Sequence, residues 1–213
     1  NKPSKSLSKD KQSTAKVSAS NEFLWALIGL LLTIFSTFIE AFVTNPPWKW
    51  TEQGIFSQSL GVTYQIGAVL LTGCMGGKNA GVLSQIAYLI LGLIWLPIFA
   101  RGGGWDYLWN PSFGYLLGFI PGAWLCGWLA FRTRRKLETL AFSAVCGLAI
   151  VHICGLIYLV GLSFLGSRDN SIIGSDNLFE FIKHYSITPL PGQLVIVCVV
   201  AAIAFILRQI LFY

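Results

Sequence analysis

Leu137-Glu-Thr-Leu-Ala-Phe-Ser-Ala-Val-Cys-Gly-Leu-Ala-Ile-Val-His-Ile-Cys-Gly-Leu-Ile-Tyr-Leu-Val-Gly-Leu-Ser-Phe-Leu165 decides the fold class. After Glu138 it contains no charged side chain and a single histidine, His152. An apolar stretch longer than about 20 residues is long enough to cross a bilayer as a helix. In hydrocarbon the backbone has only itself to satisfy its N–H and C=O groups, which is why the crossing is helical. The rest of the chain repeats the pattern. Apolar runs at about Phe23 to Val43, Ser59–Met75, Ala80–Ala100, Phe113–Phe131 and Leu190–Phe212 flank this one. The sequence therefore predicts an all-α polytopic membrane protein with six transmembrane helices. At 54% apolar, 11% charged and a mean hydropathy of +0.66, the 213 residues exclude an ordinary soluble domain, in which about 25% of residues are charged.

Charge sorts along the runs rather than gathering on one module. Residues 1–20 hold six serines and the lysines Lys2, Lys5, Lys9, Lys11 and Lys16, with almost nothing apolar. Such a segment cannot offset chain entropy by burial, so 1–20 is read as a disordered basic cytoplasmic tail, and 21–213 as the six-helix membrane domain. The run after the tail is too long for a signal sequence and lacks a small-residue cleavage site. With six crossings, the tail lysines share one side with Lys78, Arg132, Arg134, Arg135, Lys136 and Arg208, which is eleven of fifteen basic residues. Lys49, Arg101, Arg168 and Lys183 fall on the other side, together with most of the acidic residues. The positive-inside rule then puts both termini in the cytoplasm and the protein in the inner or plasma membrane, surrounded by lipid. It also accounts for the net charge of +6 without a nucleic-acid partner.

Enzyme, metal and cofactor chemistry find little to stand on. His152 is the one ionisable group deep in a span, has no second histidine near it in sequence, and reads as a hydrogen-bonded packing residue. The five cysteines (Cys74, Cys126, Cys146, Cys154, Cys198) lie in apolar stretches without Cys-x-x-Cys spacing, as buried free thiols do. Gly73-Cys-Met-Gly-Gly-Lys-Asn79 lacks both the first glycine and the final Ser/Thr of a phosphate-binding loop, so nucleotide binding by this chain is excluded. In the fourth run Gly114, Gly118, Gly122, Cys126 and Ala130 recur every four residues, a stripe that lets helix backbones pack closely, and Pro121 is expected to kink the helix. Gly29, Thr33 and Thr37 form a weaker stripe in the first run, available to a neighbouring membrane subunit.

Three outer segments, roughly 44–58, 101–112 and 166–189, carry Trp48, Trp50, Trp105, Tyr107, Trp109, Phe179, Phe181 and Tyr185. These rings suit either a headgroup belt or loops folded over a ligand. Within the middle segment Arg101 precedes Gly102-Gly-Gly104, where glycine backbone permits positive φ and close approach to a ligand. Arg101 suits an organic carboxylate, while a flexible connector explains the glycines equally well.

Val62-Thr-Tyr-Gln65, the run Ala80–Ala100, the three glycines and Asn110-Pro-Ser-Phe-Gly-Tyr-Leu-Leu-Gly-Phe119 resemble the BioY family of biotin transporters. The likeness covers about 23–210 in plan and is most specific over 77–119. It implies an S component of an energy-coupling-factor transporter. Such a subunit captures biotin from the outside and delivers it inward with a T component and two ATPase subunits. It implies a pocket formed by Gln65, Gln85, Tyr88, Phe99, Arg101, the backbone of Gly102, Gly103 and Gly104, Ser112, Tyr115 and Gln193. Arg101 would meet the valerate carboxylate and Gln193 a polar edge of the ligand. Gln85 and Tyr88 suit interhelical hydrogen bonding as well. The chain departs from the family pattern at Pro191-Gly-Gln-Leu-Val-Ile196, where Gln193 replaces an aspartate and Ile196 a lysine, and at Pro111-Ser-Phe-Gly-Tyr115. An S component for another vitamin and a ligand-free membrane assembly subunit are the competing readings.

Overall fold

The computed structural model describes residues 19–44, 57–132, 136–166 and 177–211. The basic tail, Trp48, Trp50, Arg134, Arg135 and Arg168 thus lie outside the described residues. Helix α1 (Ala19–Thr37) leads into strand β1 (Glu40–Thr44), and β2 (Ser57–Thr63) into α2 (Gln65–Ile94). A 3-10 turn at Trp105–Trp109 precedes α3 (Phe113–Arg132), and α4 (Leu137–Gly166) follows. A short helix α5 (Leu178–Ile182) and a π-helical turn (Lys183–Ile187) enter α6 (Leu190–Leu211). Among the described residues, five helices are long and apolar enough to cross a membrane. Their outer faces match that solvent, with Phe35 64%, Ile157 67%, Phe164 78% and Ile210 68% exposed, a surface that would aggregate in water.

Helix α2 reverses direction. Over 23 positions a straight helix rises about 34 Å, yet Gln65 Nε2 donates to Tyr88 Oη at 3.0 Å. The break is at Gly77, whose φ of 81° and ψ of −176° are non-helical, so arms 65–76 and 78–94 run antiparallel. Helix α3 presses on this turn, since a Cβ on Gly127 would stand 2.5 Å from the Gly77 carbonyl carbon and the Lys78 nitrogen. The Gly77 backbone conformation is nearly exclusive to glycine and costs other residues about 1–3 kcal/mol. A Cβ there meets nothing closer than 3.5 Å. Gly77→Ala is therefore expected to lower stability by about that amount through backbone strain alone, read as a lower unfolding midpoint in detergent; an unchanged midpoint would contradict it.

The small-residue stripe of α3 seats it on α4. Cβ atoms on Gly118 and Gly122 would lie 2.9 Å from the backbone oxygens of Val151 and Gly147 respectively. Pro121 sits inside a continuous α3. The α1 stripe does not face a partner: a Cβ on Gly29 would lie 2.3 Å from Thr72 Cγ2, and Thr33 and Thr37 are buried. Close packing of α1 on α2 consumes it. Arg208 closes the end of the bundle that carries Lys78 and Arg132. Its Nη1 donates to Ala130 O at 2.9 Å, satisfying a carbonyl of the last turn of α3, and its guanidinium stacks 4.2 Å from the Phe131 ring centroid.

The helical plan holds, with the addition of an antiparallel ribbon in which Phe42 pairs with Ser59, Val43 with Gln58 and Thr44 with Ser57, and the boundaries of the runs need correction. Ser59–Thr63 is accordingly strand, and the apolar run counted from Ser59 becomes helix only at Gln65. The run Ala80–Ala100 ends as helix at Ile94. In each case apolar content continued past the point where the backbone turned. The ribbon packs against the entrance of α6, because a Cβ on Gly192 would lie 2.8 Å from Leu60 O.

Candidate ligand-binding site

After α2 the chain doubles back in a tight turn. Phe99 N donates to Gly102 O at 2.8 Å and Gly102 N to Phe99 O at 3.0 Å, leaving Ala100 and Arg101 at the apex. Gly102 and Gly104 hold φ of 113° and 91°, values that disfavour any side chain. Gly103 lies so close to the end of α2 that a Cβ would sit 2.6 Å from Gly92 O, the carbonyl that accepts from Gly104 N at 2.8 Å. The glycine run is thus structural, and what it presents to solvent is Arg101.

That arginine lines a cavity of about 280 Å³. One wall is the end of β2 with the first turn of α2: Gly61, Val62, Thr63, Gln65 and Ile66. Ala100 and Arg101 form the second, and Tyr107, Ser112, Tyr115, Leu116 and Phe119 the third. Tyr185, Pro189 and Gln193 complete it. Arg101 Nη1 donates to Tyr185 Oη at 3.1 Å, and its guanidinium carbon lies 5.9 Å from that ring's centroid. Among the described residues no carboxylate pairs with Arg101. The Tyr107 phenol is pushed above its ordinary pKa by burial, so at neutral pH it is a hydrogen-bond donor rather than an anion.

Each polar group facing the cavity is held from behind. Gln65 donates to Tyr88 Oη, which donates to Ile98 O at 3.0 Å, so one buried phenol ties the start of α2 to the Arg101 turn. Asn110 Oδ1 accepts from Ser112 N at 3.0 Å and from Ser112 Oγ at 2.8 Å, an Asx turn that starts α3. Ser112 Oγ, having donated its proton, accepts from Tyr107 Oη at 3.1 Å. Beneath them runs an aromatic ladder, Tyr88, Phe99, Tyr107, Phe113 and Tyr158, with centroids 4.7 to 6.4 Å apart. His152 is hydrogen-bonded as expected, with Nε2 2.7 Å from Gln193 Oε1.

Of the expected pocket residues, Gln65, Arg101, Ser112, Tyr115 and Gln193 meet at this cavity. Gln85, Tyr88 and Phe99, together with Gly102, Gly103 and Gly104, do not line it. Gln85 is fully buried, and its amide nitrogen donates to Thr33 Oγ1 and Ser84 Oγ, both at 3.1 Å. Those hydroxyls already donate to Gly29 O and Gly81 O, so the amide can face them only with its NH₂ group. Phe99 turns inward because Gly92 leaves a slot for its ring. The sequence left Tyr107 and Tyr185 among outer-segment rings that suit either a headgroup belt or loops over a ligand, and did not single them out for the pocket. Burial separates the two classes, since Trp105 and Trp109 are 65% and 62% exposed while Tyr107 is buried. Ile196 is buried against Gly67, where a Cβ would lie 2.8 Å from its Cγ2.

A bundle of apolar helices with a solute-sized cavity at one end defines a multi-pass membrane protein that receives a small molecule. The sequence pattern of the BioY family matches residues 10–212, and the chain belongs to that family. It is 27% identical over 202 residues to an uncharacterized 21.2 kDa protein of Cyanophora paradoxa, covering 92% of this chain and 99% of that one. A biotin transporter BioY of Thermotoga maritima is 40% identical over 98 residues, 46% of this chain and 57% of that protein. A probable biotin transporter BioY of Lysinibacillus sphaericus is 38% identical over 98 residues, 46% of this chain and 50% of that protein. The fold matches the crystal structure of an S component for biotin from an ECF-type ABC transporter, with a TM-score of 0.65 at 19% identity. That match covers 91% of this chain and 95% of the other. Membership in a transporter family places the chain in the plasma membrane.

Proposed function

We propose that this chain is the biotin-binding S component of an energy-coupling-factor transporter, taking biotin from outside the cell without catalysing any chemistry. The observation that carries the reading is the Arg101 guanidinium, which among the described residues has no carboxylate partner, in a cavity otherwise walled by apolar side chains, phenols and amides. Biotin asks for those groups: a cation for its carboxylate, apolar walls for its fused rings, and mixed donors and acceptors for its ureido edge. In this reading arm 65–76 together with the β2 ribbon that leads into it makes one pass and arm 78–94 the next, giving six passes, and the end bearing Lys78, Arg132, Lys136 and Arg208 faces the cytoplasm with both termini. The cavity then opens outside, and a T component with two ATPases drives release inward. With α1's small residues consumed by α2, such a partner meets α1 on its exposed Phe23, Leu27, Leu31 and Phe35.

Calorimetry on the purified chain in detergent tests this directly. One biotin per chain is expected, and no heat at high biotin would overturn the assignment. A matched pair of variants locates the site. Gln65→Leu removes a cavity donor and should weaken biotin about tenfold, the value of roughly one hydrogen bond. Gln85→Leu, out of the cavity, should leave affinity unchanged. Equal effects from the two would move the site elsewhere.

A further inference from the structure

Gln193 does not stand alone at the cavity. Tyr115 Oη lies 2.6 Å from Ser186 Oγ, Ser186 Oγ 3.3 Å from His152 Nδ1, and His152 Nε2 2.7 Å from Gln193 Oε1. Ser186 and His152 are 7% and 8% exposed, while both ends of the chain of bonds, Tyr115 and Gln193, line the cavity. Three elements supply the links: α3, the π-helical turn before α6 with α6 itself, and the middle of α4.

The geometry points to His152 as a positioning residue that, through this relay, fixes which groups Tyr115 and Gln193 present to the ligand. The inference rests on the biotin-binding reading above. Each hydroxyl has one hydrogen and a neutral imidazole has one, so three hydrogens serve three bonds and all must point the same way. With Gln193 Oε1 as terminal acceptor, His152 Nε2–H donates to it, Ser186 donates to Nδ1, and Tyr115 donates to Ser186. Gln193 then has only its NH₂ group left for the cavity, and Tyr115 has only oxygen lone pairs. Turning the Gln193 amide over would instead present its carbonyl to the cavity, make Nδ1–H donate to Ser186, and release Tyr115 O–H from its obligatory donation to Ser186. The direction with Gln193 Oε1 as acceptor suits a ligand with a carbonyl beside an N–H, the pattern of a cyclic urea: carbonyl to the Gln193 amide, N–H to the Tyr115 oxygen. A carboxylate in place of Gln193 could only accept, so the amide and the histidine behind it form one donor unit.

The test uses biotin and 2-iminobiotin, in which the ureido carbonyl is replaced by an iminium that only donates at neutral pH. Wild type is expected to prefer biotin. His152→Phe keeps the ring and removes both nitrogens, freeing the Gln193 amide to rotate. Biotin affinity should fall about tenfold, 2-iminobiotin affinity much less, so the preference narrows. His152→Gln, whose side-chain amide supplies a donor toward Gln193, should restore part of it. Ser186→Ala should narrow the preference in the same direction and serves if the histidine variants do not fold. A purely structural role for His152 would lower both ligands equally, and an unchanged preference in His152→Phe or Ser186→Ala overturns the relay while leaving biotin binding intact. No biotin binding by the wild-type chain overturns both readings.

Discussion

Arg101→Ala is expected to weaken biotin binding about a hundredfold while leaving the ligand-free protein as stable as before. The two halves of that expectation have separate grounds. Arg101 is exposed at the apex of the Phe99–Gly102 turn, whose backbone bonds do not involve its side chain. Its side chain touches Tyr185, through one hydrogen bond and the face of the ring. Truncation therefore removes little from the fold. Among the described residues it is the one cationic side chain lining the cavity, and Ile196 occupies a buried position where the family has a lysine. Removing one partner of a desolvated charge pair costs about 2–5 kcal/mol, and a hundredfold loss sits near the lower part of that range. Arg101→Lys should recover only part, because an ammonium lacks the planar fork that meets a carboxylate with two bonds. Ligand-induced thermal stabilisation reports the same quantity, disappearing when biotin no longer exceeds its dissociation constant. Biotin amide supplies the converse: with no carboxylate, it should bind wild type about as weakly as biotin binds Arg101→Ala. Equal affinity of wild type for the acid and the amide would remove the carboxylate role.

How much of this site was visible in the sequence depends on how far apart its parts lie along the chain. Helices were visible because apolar length is a local quantity, and so was the interruption near Gly77, where glycines meet Lys78 and Asn79. Arg101 stood out as the lone cation beside a glycine run, which is also local. The ribbon was not visible, since Ser57–Thr63 runs without a break into the apolar start of α2 and a hydropathy count ignores the period-two exposure of a strand. Phe99 was assigned to the pocket on the family resemblance. Its inward turn depends on Gly92, seven residues earlier on a helix, and on the chain reversing between them. His152 was read as a hydrogen-bonded packing residue and Gln193 as a pocket residue, but 41 positions separate them and nothing short of the fold joins them. Pieces whose role is set by chain-local chemistry were legible, and pairings made by packing were not.

Gly92→Ala should therefore be among the most damaging single-methyl changes in the protein, although residue 92 lies outside the cavity lining. A Cβ at this position would stand 2.2 Å from Phe99 Cζ and 2.3 Å from its Cε1, well inside van der Waals contact. The ring is buried and held between other rings. Tyr88 stands edge-on at 5.3 Å on one side, Tyr107 is tilted at 4.7 Å on the other, and Tyr107 in turn meets Phe113 at 6.4 Å. Displacing Phe99 lifts the turn that carries Arg101, and it strains Gly104 N→Gly92 O on the same carbonyl. Overpacking of this kind costs about 1–3 kcal/mol. The expected result is a lowered unfolding midpoint together with a loss of biotin affinity of more than about tenfold, since a displacement near 1 Å suffices to spoil a polar site. Gly161→Ala is the matched control: it also lies within a helix, α4, but a Cβ there meets nothing within 4 Å. Helix propensity alone then favours alanine by up to about 1 kcal/mol, with binding untouched. Phe99→Leu introduced into Gly92→Ala separates the steric cause from any other, because it withdraws the ring atoms that the new methyl group strikes. The double variant should regain affinity relative to Gly92→Ala, a favourable coupling between sites in contact. If Gly92→Ala leaves both the unfolding midpoint and biotin binding where they were, the slot at Gly92 does not hold the Arg101 turn in place.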